Sequence, residues 1–164
     1  MQQAAGAPAL SEGEKSRRRF ERRLVSSLAQ NPVLALSHAD ALAQTQWHDG
    51  LSRQLAESML TTLENDPAAT PATIVSDASK VAPRAAGILT AGMTQDPSTL
   101  EDTVAFLVEE IEIGDMESTL ASMNAQLRSD SGLPDDEREL IFAAAVDLQK
   151  TIAAKRAAHK PRVF

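Results

Sequence analysis

The chain has 164 residues, enough for one ordinary domain or two small packed units, and 43% of them are hydrophobic, so it can bury a core. It has no cysteine, which excludes disulfides, a thiol nucleophile and any cysteine-based zinc site. The net charge of −7 is uneven, ten acids against nine bases in residues 1–97 and thirteen against seven in 98–164, and gives no general attraction to a phosphate backbone. With aromatics at 3%, the core must be built from Leu, Ile, Val, Met and Ala, a composition that favours helix over strand. There is no apolar run of 18 residues, and the N-terminus lacks a basic stretch followed by an apolar one. The expectation is a soluble, cytoplasmic, all-α protein that does not engage a membrane.

Residues 1–10, MQQAAGAPAL, read as a linker or disordered end. Ser11 opens the first helix. With Glu14 it has the spacing of a capping box, in which each side chain satisfies the other's free backbone amide. Phe20, Leu24, Val25 and Leu28 share one face of this helix, and the five arginines of RRRFERR at 17–23 fill much of the rest. Asn31-Pro32 ends it and opens a short second helix holding Val33, Leu34, Leu36 and Leu42. A third helix starts near Asp49, buries Leu51, Leu55, Met59, Leu60 and Leu63, and stops at Asp66-Pro67. Thr70-Pro71 opens a short helix with Ile74, Val75 and Val81. Pro83 opens another with Ile88, Leu89 and Met93. Asp96-Pro97-Ser98 then opens the last part of the chain.

Two apolar stripes follow, and they do not align. Leu100, Val104, Leu107 and Ile111 form one; Ile113, Met116, Leu120, Met123 and Leu127 form the other. They are offset by two residues, about 200° of helix rotation. This predicts a bend, or a helix facing two partners, at Ile113-Gly114-Asp115. RSDSGLP at 128–134 is a tight polar turn. The final helix carries Asp135, Asp136 and Glu137 at its positive end, and Lys155, Arg156, His159 and Lys160 at its negative end. Its stripe, Ile141, Ala145, Leu148 and Ile152, can pair antiparallel with 116–127. The expected architecture is a compact bundle of five to six helices over 11–113, followed by a C-terminal αα-hairpin over 114–164.

Nothing in the sequence supports catalysis, a cofactor or a metal. His38, His48 and His159 have no local metal spacing, and His38 with Asp40 and His48 with Asp49 read as surface or cap positions. The acids Glu109, Glu110, Glu112, Asp115 and Glu117 do not match a calcium loop and read as a solvated helix face. Glu-Gly-Glu-Lys-Ser at 12–16 lacks the spacing of a phosphate-binding loop. The arginines of the first helix lack stacking aromatics or a second basic element, so a solvated face is favoured over a nucleic-acid contact.

ERRLVSSLAQNPVLA at 21–35 resembles the first-helix signature shared by the C-terminal helicase-binding domain of DnaG-type primases and the N-terminal domain of DnaB-type replicative helicases. WHDGLSRQLAESMLTTLENDP at 47–67 resembles the next long helix of those modules, and ATPATIVSDAS the short helix after it. Residues 106–156 resemble the primase's terminal hairpin, and the chain ends soon after, as expected of a primase; a helicase would continue into a motor domain. The resemblance spans about residues 12–160 and implies a helicase-docking domain without the zinc module or catalytic core of a primase, and hence no enzymatic activity. It implies the hexameric DnaB-type helicase as partner, with the single-stranded DNA-binding protein as a further candidate. The alternatives are a helicase N-terminal domain or an unrelated helical adaptor.

The partner-facing strip is expected on the last helix. Phe142, Val146 and Ala153 lie about 100° to 140° from Ile141, beside the seam, with Gln149 next to them at about 80°. A two-helix unit cannot cover that strip alone. It either stays exposed for a partner or turns Phe142 back onto residues 98–112.

Overall fold

A computed structural model describes residues 10–91, 96–129 and 132–159; residues 1–9 of the linker expected at 1–10, Met93 and Lys160 lie outside them. The described residues form eight α-helices and no strand: α1 Glu12–Gln30, α2 Pro32–Ser37, α3 Ala39–Gln44, α4 Gly50–Asn65, α5 Pro71–Val81, α6 Ala85–Ala91, α7 Pro97–Arg128 and α8 Asp135–Ala158. The fold is all-α, and among the described residues no helix is long and apolar enough to cross a membrane.

The starts of the helices follow local chemistry. Ser11 Oγ accepts from the Glu14 amide at 3.1 Å. Thr70 and Asp96 cap α5 and α7 in the same way, each followed by proline at the first helical position. The capping box at α1 is only half made, because the Glu14 carboxylate turns to the His48 ring instead. The second helix also differs from expectation. His38 leaves helical geometry, with φ −111° and ψ 18°, and divides 32–44 into α2 and α3. A straight helix would rotate Leu42 about 80° away from Leu34; the step lets both reach the core, where both are buried.

α1 is the hub. It packs on α2, α4, α5, α6 and α7, and its Leu24, Val25, Leu28 and Ala29 are fully enclosed. Leu55, Met59 and Leu63 of α4, Ile74 of α5 and Leu89 of α6 complete the core from their sides. The first half of α7 adds Leu100, Val104, Leu107 and Ile111, and that core ends there. α7 does not break at Gly114 but runs unbroken to Arg128. Ile113 is fully buried outside that core, and so outside it are the buried Ala145 and Ile152 of α8, which packs antiparallel along α7. One continuous helix therefore serves two partners with two faces, the bundle through Ile111 and α8 through Ile113. The interruption at 114–115 has a different cause, described next.

Arginine socket and candidate docking surface

Arg17 is not solvated. It is 8% exposed, and its guanidinium inserts between α1, α7 and the loop before α4. Nε donates to Glu21 at 2.6 Å, Nη2 donates to Asp115 at 2.7 Å and to the Gln46 carbonyl at 3.0 Å, and Nη1 donates to the Ile111 carbonyl at 3.3 Å. Glu21, itself completely buried, also accepts the amides of His48 and Asp49 at 3.0 and 2.8 Å. Asp115 accepts the Gln46 amide at 3.0 Å. Loop 45–49 is thus held from outside by two carboxylates, which meet amides that no secondary structure satisfies. Gly114 makes room for this: a β-carbon there would sit 2.9 Å from Arg17 Nη1. The gap in the apolar stripe is the wall of a polar socket, not a hinge.

Asp49 also departs from the surface reading. It stands at the N-cap of α4, yet its carboxylate is buried and turned to Arg22 at 2.9 Å and to the Ser52 hydroxyl at 2.7 Å. Burial opposes its charge, but hydrogen bonds from Arg22 and Ser52 outweigh this and hold the carboxyl below its ordinary range. Arg18 lies 3.7 Å from Glu14, and Arg19 donates to Ser16. Of the five arginines only Arg17 is buried; Arg22 pairs with Asp49 from an exposed position, and Arg19 and Arg23 are exposed as a solvated face requires. With its main donors spent on protein oxygens, Arg17 has little left for a phosphate.

The acids of α7 are partly solvated, with Glu112 and Glu117 exposed and Glu110 and Asp115 largely covered, but most of them are also paired. Glu112 meets Lys155, Glu110 and Glu117 meet Arg156, and Glu109 and Glu110 flank the His159 ring, which stacks on Phe106 with centroids 4.3 Å apart. The basic end of α8 thus answers a row of carboxylates on α7. The hydrogen bonds that Arg156 donates to Glu117 and Glu110 outweigh desolvation and hold it above its ordinary range. Among the described residues no cluster of three or more potential ligands is arranged for a metal. At the other end of the hairpin, Arg138 caps α7 by donating to the Leu127 carbonyl at 2.6 Å.

The expected partner strip sits on the outside of this hairpin. Ala145 and Ile152 are buried, Ile141 and Leu148 half-buried, as the seam required. Phe142 is 61% exposed, Gln149 and Ala153 are exposed, and Val146 is half-buried. Phe142 does not turn back onto residues 98–112; it lines a shallow cleft with Leu127, Asp135, Arg138 and Glu139. Leu140, 71% exposed, lies on the opposite flank of α8 and was not expected. Arg17, Glu21 and Gly114 were also missed as a unit; the signal for them was the polar gap at 114–115 in an otherwise regular stripe. No protein-family model matches the chain, and comparisons with curated proteins and with solved structures find no match.

Proposed function

We propose that the chain is a docking domain of the primase type, which binds the N-terminal domains of a hexameric DnaB-type helicase and holds its parent protein at the replication fork. The observation that carries this reading is the exposed Phe142 strip, on a hairpin whose second helix packs on α7 alone beyond a few marginal contacts. An exposed aromatic beside small side chains is a suitable anchor for a helix-packing interface. The mechanism is association without chemistry. The burial of Arg17 and the pairing of Arg22 with Asp49 favour it over a nucleic-acid module.

The test is binding to purified helicase N-terminal domain, read by calorimetry. Phe142→Ala should weaken the complex more than tenfold, the equivalent of about 1.4 kcal/mol or more. Its circular dichroism and melting should be unchanged, since the ring is largely outside the core. Normal binding by this variant would place the interface elsewhere.

A further inference from the structure

We infer that the hairpin flank between Ala121 of α7 and Phe142 of α8 receives an amphipathic helix from the partner, and that the end of this helix beside Phe142 carries lysine or arginine. The inference rests on the docking reading and specifies its geometry and charge. The seam is unevenly covered. At its base Ile113 and Ile152 are buried, whereas towards the tip Leu120, Met123, Leu127 and Ile141 remain half-exposed. Two helices cannot enclose such a seam, and a third laid along one flank can.

The two flanks differ. Ala121 lines a cleft with Arg156, which fixes the side of α8 that this face of α7 adjoins. Helical spacing puts Phe142, Val146, Gln149 and Ala153 on that same side. Ala121 and Ala153 leave room along this flank between the longer Gln149 and Arg156, so a helix can lie there with Phe142 seated against its end. Charge then selects the helix. Residues 135–149 contain five acids and one base. The base, Arg138, is turned to the carbonyls of Leu127 and Ser129. Asp135 and Glu139 line the Phe142 cleft with no ion pair among the described residues, whereas the acids nearer the base of the hairpin are answered by Lys155, Arg156 and His159. A partner surface lacking positive charge at this end would leave two carboxylates facing a drying apolar contact, which is costly.

The experiment measures binding of the full chain to helicase N-terminal domain between about 0.05 and 0.5 M salt, a range over which surface attraction is largely screened. Affinity should fall at least about tenfold across it. The Asp135→Asn, Glu139→Gln double variant should bind about tenfold more weakly at low salt and lose most of the salt dependence, while Asp147→Asn, on another face of α8, should behave as the parent. Ala121→Trp, at an exposed position, should block the groove and reduce affinity at least about tenfold without unfolding. Binding that ignores salt and the double variant would overturn the basic helix end, and full binding by Ala121→Trp would overturn the groove; in both cases docking itself survives. No binding of the parent at any salt would remove the docking reading and this inference together.

Discussion

Arg17 sits in a run of five arginines that composition alone assigns to solvent, yet it is the most constrained of them. Its neighbours in sequence say nothing of this, because Asp115 and Ile111 lie about a hundred residues away. Removing it would strand a fully buried Glu21 and leave Asp115 without its cation. Arg17→Ala should therefore cost about 3–5 kcal/mol in urea unfolding. Gly114 is tied to it. Within a helix, glycine to alanine ordinarily gains about 0.5–1 kcal/mol. Here the new methyl meets a guanidinium pinned by its acceptors, so Gly114→Ala should destabilise the parent protein. In an Arg17→Ala background the same change should become stabilising, and a double-mutant cycle reads that change of sign.

Asp49 gives a second prediction at this scale. Its folded carboxyl titrates below the ordinary value of 3.8, so the charged form is favoured by folding. That contribution is fully present above the unfolded pKa and is lost as pH falls through the folded one. Asp49→Asn should accordingly flatten the acid limb of the stability curve below about pH 4, measured by urea midpoints across pH. Local chemistry was readable here only in part: Asp49 was recognised at a helix start, but its Arg22 partner comes from another helix.

Among the elements, α7 shows most clearly what periodicity can and cannot report. The two-residue slip between Ile111 and Ile113 was visible, and it does mark a change of partner. It could not distinguish a bend from a straight helix with two faces, because side-chain spacing carries no information about backbone continuity. The break at His38 was invisible for the opposite reason: no proline or glycine marks it, and only the demands of the core on Leu34 and Leu42 impose it. Residues 130–131 of the turn expected at 128–134 lie outside the described ones; beside them Gly132 has φ of +76°, in the left-handed region. Gly132→Ala should cost about 1 kcal/mol through backbone strain, since no neighbour crowds the position. Thermal melting would detect it.

At the scale of the whole molecule, fold class and the order of helices followed from patterning and caps, whereas the ties between bundle and hairpin did not. Those ties are long-range charge pairs, and a sequence shows charges without showing which will meet. Arg156 joins two α7 acids, Glu110 and Glu117, at 2.7 and 2.8 Å. Arg156→Ala should lower global stability by no more than about 1 kcal/mol, because the pairs are partly exposed. Its larger effect should be local, with amide hydrogen exchange rising over the last turns of α8 and not over α1.

Because bundle and hairpin share one rod of about 48 Å, their mutual angle is a matter of counting. Every residue added between the two stripes would turn the hairpin about 100° around the α7 axis and push it about 1.5 Å outward. Adding a whole turn would nearly restore its heading at a greater reach. The spacing from Ile111 to Ile113 thus works as a dial: it sets the compass direction in which the Phe142 face points, independently of the chemistry of that face.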